Sequence, residues 1–465
     1  MRPAPSAEMM DDLTDLQLLL ERLNHQTLHD LQTGLPNRQY FISHLEEVLG
    51  RLGPSAAVTL LHLDLDGFSV VNDGLGHRCG DRVLDMVARC LESVVADQPA
   101  MVARISGDEY AILLQPGSSI PNVGQLAGTI NTELAGMAHQ DGIGVVVTAR
   151  IGAVQRQAGA TTPAELMRAA GATLRRLRGK GGQWAMFDAD SDTAERAELR
   201  LAAGMPGAME AGELQVEYRP VAALRDGRVV AVEAMLSWHH PELGALSHDR
   251  CMQLAERTGA VHGVGQYMLA TAADQTRLWQ RQRVERLPPT VVNLTHTQAQ
   301  DPGLVARVSA VLEQTGLRPA ALELGVPTIR PVDSAPVGAY GGHTRLNLRT
   351  LAELGVRTAV HDFGGDIGEL ACLAELGVHT VRITQSVAHQ VAHNPSAITA
   401  QALRALVPTL RAAGISVVAC LVDTEKLATW WRGVGADCAV GAVFGRPSPP
   451  PRTEHLFGPR ARLGV

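Results

Sequence analysis

Basic charge, aromatic side chains and long apolar runs are all scarce in this 465-residue chain. Its formal net charge is -7, and it carries only six Phe, five Trp and five Tyr. A nucleic-acid groove needs basic stripes and stacking platforms, so polymeric DNA or RNA is not an expected partner. No apolar run approaches the roughly 18 residues needed to span a bilayer. The opening MRPAPSAEMMDD lacks the apolar core of a signal peptide, so a cytoplasmic protein with no membrane span is expected. The six cysteines (Cys79, Cys90, Cys251, Cys372, Cys420, Cys438) form no CxxC pair, which argues against zinc or redox work and for reduced, buried side chains. Small phosphorylated ligands survive these exclusions, because a metal ion can bridge acidic side chains to phosphate.

The length exceeds one ordinary core and fits two domains of unequal size. Over residues 1–27, Met9, Leu13, Leu16, Leu20, Leu23 and Thr27 alternate at spacings of four and three, the seam of a short coiled coil. That seam predicts a homodimer; a helix packed on its own domain is the alternative. Residues 28–190 read as α+β, with strands at Leu60–Leu65 and Val145–Val154. A helix over Arg82–Val95 places Leu84, Val87, Leu91 and Val94 on one face. Another begins at Thr162, where Pro163 and Glu165 complete a capping box. The polar stretch DADSDTAERAE (188–198) reads as the join, with a linker over 191–208.

Eight strand-like runs follow within 209–450: Leu214–Arg219, Val229–Ser237, Thr290–Leu294, Ala321–Gly325, Arg357–His361, Thr380–Thr384, Ser416–Cys420 and Cys438–Phe444. With helical stretches between most of them they predict a (β/α)₈-type barrel, whose chemistry would sit where strands end. GRPSPPPRTEH, which runs into a Pro-rich tail over 451–465, reads as a surface extension.

In RISGDEYAILL (104–114) an apolar run breaks to present Asp108 and Glu109, and LLHLDLDGFSVVND (60–73) ends a second run with Asp64 and Asp66. Adjacent carboxylates at a tight turn are costly unless solvated or shared with cations. Two such strand ends side by side could hold hard divalent ions through oxygen.

Together DLQTGLPNR (30–38), DLDGFSVVNDGLGHRCGD (64–81) and RISGDEY resemble a GGDEF domain, the diguanylate cyclase family that joins two GTP molecules into cyclic di-GMP. The resemblance implies a palm-like α+β fold and a homodimer in which two bound GTP molecules face each other. It assigns Mg²⁺ or Mn²⁺ to Asp64 and Asp108, with Glu109 as the next acidic catalytic partner. Asn72 and Asp81 would read guanine, an amide and a carboxylate suiting its donors and acceptors. Phe68, Ser106, Gly107 and Arg178 complete the implied GTP contacts. Ser69 and Gly182 stand where the family usually has basic phosphate ligands; Arg175, Arg176 and Lys180, close in sequence, either compensate or form a solvated helix face. The family's inhibitory product site would fall at Asp97 and Ala100 and is absent, so feedback inhibition through it is not expected.

ELQVEYRPVAALRDGRVVAVEAMLSWHHPELG (213–244), followed in order by VVNLT, LELGV, VHDFGG, VRITQS, VVACLVDT and GAVFGRP, resembles an EAL domain, the family of cyclic di-GMP phosphodiesterases. The resemblance implies that Glu233, Asn293 and Asp362 keep ligand positions for two divalent ions. Gly325, His361, Thr384 and Cys420 replace acidic ligands, Arg382 a lysine and Val440 a glutamine. Ser237 stands for a phosphate-gripping Arg, and Arg219 for a Gln. DFGGDIGEL also departs from the family's DFGTGYSSL. With too few anionic ligands to hold two ions close together, this domain is expected to be a degenerate, regulatory or partner-docking barrel without phosphodiesterase activity. His361 and Cys420 lack metal-like spacing and read as packed strand-end side chains rather than a zinc site. The expected whole is a GTP-binding cyclase making cyclic di-GMP; a non-enzymatic scaffold is the alternative.

Overall fold

The computed structural model describes residues 27–116, 122–137, 145–282, 287–328, 342–393 and 395–450. The heptad seam therefore lies, apart from Thr27, outside the described residues, as does the tail beyond 450. The chain divides into two compact units, Met1–Ala197 and Glu198–Val465.

The first unit runs α1 (Arg38–Arg51), β1 (Ala57–Leu65), α2 (Phe68–Leu75), α3 (His77–Val94), β2 (Ala100–Ser106), β3 (Glu109–Leu114), α4 (Val123–Met137), β4 (Ala149–Gln157), α5 (Pro163–Lys180) and β5 (Trp184–Met186). Its sheet has the order β2-β3-β1-β4-β5. Alternation along β1 divides the core between the two faces of the sheet. Val58 and Leu60 meet Phe41 and Leu45 of α1 and Leu166 and Ala170 of α5. Leu61 and Leu63 join Leu84, Val87 and Leu91 of α3 and Ile130 of α4. The Thr162–Glu165 capping box starts α5, both reciprocal bonds being formed.

Several boundaries differ from the sequence reading, two starts in the first unit by four or five residues. Helix α3 begins at His77, because Gly76 at φ 85° separates it from α2. Strand β4 begins only at Ala149, where its pairing with β1 ends opposite Leu65; Asn131 ties Ala149 through both backbone groups instead. The polar stretch expected as a join lies almost wholly in one helix, α6 (Ala189–Glu210).

In the second unit β6 (Leu214–Ala223), β7 (Val229–His240), β8 (Gly244–Leu246), β9 (Thr290–Asn293), β10 (Leu322–Pro327), β11 (Arg357–Phe363), β12 (Thr380–Ile383), β13 (Ser416–Ala419) and β14 (Cys438–Ala439) form one sheet. Its order is β6-β14-β13-β12-β11-β10-β9-β7-β8, and β6 also pairs with β7, so eight strands close a barrel with β8 as an outer strand. Strands β9 to β14 pair in parallel, whereas β6 is antiparallel to both neighbours. Leu324, Val360, Val381 and Val417 point outward into the main core. Val221, Ala231, Val291, Val418 and Val440 line the interior. The start of the Pro-rich extension is anchored: Ser448 and Tyr218 exchange backbone hydrogen bonds of 2.8 and 3.1 Å.

Gly152 lies where β4 passes under α5, and a Cβ there would be 2.4 Å from the Ala170 carbonyl oxygen and 2.6 Å from the Leu174 nitrogen. Backbone on both sides leaves no easy relief. Gly152→Ala is expected to destabilise the first unit by about 1–3 kcal/mol, read as a lower urea midpoint for that unit.

Candidate functional site

In the first unit, Asp64 near the end of β1 and Glu109 at the start of β3 are directly paired across the antiparallel ladder. The register therefore brings together the acidic strand ends that sequence placed apart. Asp108 occupies the intervening tip, after Gly107 at φ 43°. Burial, and then the charges of Asp64 and Glu109, push the Asp108 carboxyl above its ordinary value even though its own backbone and Arg178 oppose the rise. Like charges this close favour a cation among them.

Arg178 from α5 supplies one. Its guanidinium bonds Asp64 through Nη2 (2.6 Å to Oδ1) and Nε (3.2 Å to Oδ2), and Nη2 stands 3.7 Å from Glu109 Oε1. The residue that the resemblance assigns to GTP thus bonds a carboxylate that it assigns to the metal. Ser106 donates to Glu109 at 3.3 Å. Asp64, Asp108 and Glu109 offer the hard oxygens that Mg²⁺ or Mn²⁺ prefers, three carboxylates beside the single guanidinium of Arg178. By donor chemistry the residues fit a divalent ion, although among the described residues no three acidic, histidine or cysteine side chains already form a metal cage.

Asn72 on α2 packs against Gly80, the residue before Asp81 on α3. A Cβ on Gly80 would fall 2.0 Å from Asn72 Oδ1 and 3.3 Å from the Phe68 ring, so its hydrogen lets both approach. Ser69 and Gly182 are exposed and contribute no charge.

Two contributors escaped the sequence reading. Arg104 donates from Nε (2.9 Å) and Nη2 (2.7 Å) to the Gly107 carbonyl, and from Nη1 to Asp30 (2.8 Å), which pins the turn. His62, buried on β1, stands with Nε2 3.4 Å from Glu109 Oε2 but not aligned as a hydrogen bond. Burial lowers its pKa despite the opposing pull of Glu109 and Asp64. Its spacing of two from Asp64, which puts both on one face of the strand, was the available signal.

In the barrel, Glu233 from β7 is wholly enclosed. Arg219 of β6 reaches it through Nε at 2.9 Å and also through Nη2, Arg382 of β12 through Nη1, and Asn293 of β9 donates at 2.7 Å. Although burial would raise its pKa, the two guanidiniums hold it at about 2. Asn293 occupies the room vacated at Gly325, where a Cβ would lie 2.2 Å from its Oδ1. His361 bridges two acceptors, Asp362 (2.9 Å) and the Leu294 carbonyl (3.0 Å), and meets both as donor only when doubly protonated. Its bond, then burial in opposition, leaves the Asp362 carboxyl below its ordinary value, at a left-handed φ of 58°. Burial pushes the Cys420 thiol to about 11; Val440 is fully buried, and Thr384 precedes the helix Gln385–Ala392. Glu233 and Asn293 thus bond protein groups and Asp362 bonds His361.

Residues 27–183 match the family described as diguanylate cyclase, GGDEF domain, and residues 202–447 match the EAL domain family. The chain is 28% identical over 444 residues to the bifunctional diguanylate cyclase/cyclic di-GMP phosphodiesterase MucR of Pseudomonas aeruginosa, covering 94% of this chain and 62% of that protein. It is 30% identical over 444 residues to the cyclic di-GMP phosphodiesterase NbdA of the same organism, covering 93% and 55%. The chain thus spans little more than half the length of these relatives. The EAL enzyme Bd1971, in its cAMP- and cyclic-di-GMP-bound form, aligns with a TM-score of 0.52 at 18% identity, over 67% of this chain and 81% of that one, a likeness of fold. No helix among the described residues is long and apolar enough to cross a membrane.

Removing the Glu233 carboxylate would leave two buried guanidiniums unpaired, so Glu233→Ala should destabilise the barrel by about 3–5 kcal/mol in denaturant titration. The depressed pKa also has a sign. Stabilisation from ionised Glu233 is complete above its ordinary 4.5 and is lost as pH falls towards about 2, at most about 3 kcal/mol. Glu233→Gln should lack that component of acid unfolding followed by circular dichroism. On its two matched domains, in order and over most of its length, the chain belongs to the tandem GGDEF–EAL family of cyclic di-GMP signalling proteins.

Proposed function

We propose that the first domain binds GTP with Mg²⁺ or Mn²⁺ and condenses two molecules into cyclic di-GMP and two pyrophosphates, while the barrel is a regulatory or docking module without phosphodiesterase activity. The observation that carries this reading is the contrast between the two acidic centres. In the first, Asp64 and Glu109 share one half-exposed guanidinium, Arg178, and Asp108 stands at the tip beside them. In the second, the retained Glu233 is buried between two.

Asp64 and Asp108 would hold the ion, with Glu109 beside them. When bound, the ion would polarise phosphate oxygens and favour attack of a 3′ hydroxyl on the α-phosphate of the other nucleotide. Asn72 and Asp81 would orient guanine, with Phe68, Ser106 and Gly107 shaping the nucleotide site. Arg178 would release Asp64 and take up phosphate charge, the one cation replacing those lost at Ser69 and Gly182. Each domain would contribute one GTP, so condensation requires a homodimer. A non-enzymatic scaffold is the second reading, favoured by the bonds Arg178 already makes to Asp64.

Full-length protein incubated with GTP and Mg²⁺ or Mn²⁺, with nucleotides separated by chromatography, should yield cyclic di-GMP. Asp108→Ala should reduce the rate at least about 100-fold, the loss of roughly 2.7 kcal/mol of transition-state stabilisation. Neither product nor GTP binding at any protein concentration would favour the scaffold. Hydrolysis of added cyclic di-GMP that disappears in Glu233→Ala would overturn the inactive barrel. Arg178→Gln should bind Mn²⁺ more tightly without nucleotide, yet bind GTP more weakly, in calorimetric titrations.

A further inference from the structure

The interior of a (β/α)₈ barrel is ordinarily filled by layers of bulky branched side chains. Here Ala231, Ala359 and Cys438 face inward at the lower levels, and a cavity of about 260 Å³ remains. Arg357, Thr380, Ser416 and Cys438, the first residues of β11 to β14, line its lower part, at the opposite end of the strands from the acidic centre described above. Arg382, Asn293 and His361 bound the other end.

The chemistry of the lower part is specific. Glu323 is buried, its side chain only 6% exposed, while the Arg357 side chain is 40% exposed. Arg357 Nε donates to Glu323 Oε2 at 3.1 Å and Thr380 Oγ1 to the same oxygen at 3.5 Å. Among the described residues, Glu323 Oε1 and the two Nη groups of Arg357 make no hydrogen bond. A carboxylate oxygen and a guanidinium edge therefore remain available side by side, above walls formed by Val221, Val291 and Val418. The space lies below the range of about 300–1,000 Å³ usual for drug-sized ligands, which excludes a nucleotide.

We propose that this cavity binds a small zwitterion of the α-amino-acid class with an apolar side chain. The ammonium group meets Glu323 Oε1, the carboxylate meets the Arg357 Nη groups, and the side chain packs on the valines. Both ligand charges are matched, so the existing Arg357–Glu323 pair need not break. This inference rests on the barrel alone and is independent of any cyclase activity.

Calorimetry and ligand-observed NMR on the full chain with L-valine, L-leucine and L-isoleucine test it. At least one should bind, while isoamylamine and isocaproate, which keep leucine's side chain but only one of its charges, should bind at least about tenfold more weakly. Glu323→Gln and Arg357→Gln should each weaken binding by about tenfold or more. Ala231→Leu, which fills the space, should abolish binding in a protein whose circular-dichroism spectrum is unchanged. If Glu323→Gln does not fold, the two analogues and Ala231→Leu still decide. No binding of any of the three amino acids at about 1 mM, where a 1 mM site is half filled, would mean a water-filled space and overturn the proposal. So would undiminished binding in folded Ala231→Leu, or single-charge analogues binding as well as the zwitterion.

Discussion

A guanidinium laid along a carboxylate governs both acidic centres, and its surroundings decide what each centre can do. Lys180 and Lys426 are the only lysines in the chain, so nearly every basic partner is the planar, always charged fork of arginine. At Asp64 the fork comes from a side chain 46% exposed, reaching in from the end of a helix. Exchange with solvent, ion or phosphate costs little there, because water can take up the charge that is released. Around Glu233 the forks of Arg219 and Arg382 are held inside the barrel, and either left without its partner would be stranded in a medium that solvates charge poorly. One chemical pairing is therefore displaceable in one unit and structural in the other.

The sequence made the architecture legible where patterns were strong. All eight barrel runs contain strands, the last over only Cys438–Ala439 of the expected Cys438–Phe444, since strand-length apolar stretches bounded by turns have few alternatives, and the Thr162 capping box fixed its helix end. Less legible was what long-range contacts decide. The start of β4 depends on where β1 stops and on Asn131, neither of them local to it. The reversed direction of β6 cannot be read from its own residues, because apolar alternation is the same for both orientations of a strand.

The same division holds at the sites. Asp64, Asp108 and Glu109 were visible as acidic strand ends, but only the register placed Asp64 opposite Glu109. Arg104 resembled an ordinary strand residue because its partners are a turn carbonyl and Asp30, distant in sequence. Gly325 read as a lost ligand; in the structure Asn293 occupies the space a side chain there would need. His361 likewise puts an imidazole, set between Asp362 and the Leu294 carbonyl, where an aspartate would have supplied an anionic oxygen.

The pairing of Tyr218 with Ser448 has a mechanical consequence. Strand β14 contributes just two residue pairs to each neighbour, so the seam of the barrel is short at the place where its first and last strands meet. The bridge from Ser448 acts as a clasp across it. A pull on the far end of the chain would load this clasp first and leave the parallel strands beyond it unstrained, making the seam the natural place for the barrel to begin to unwind.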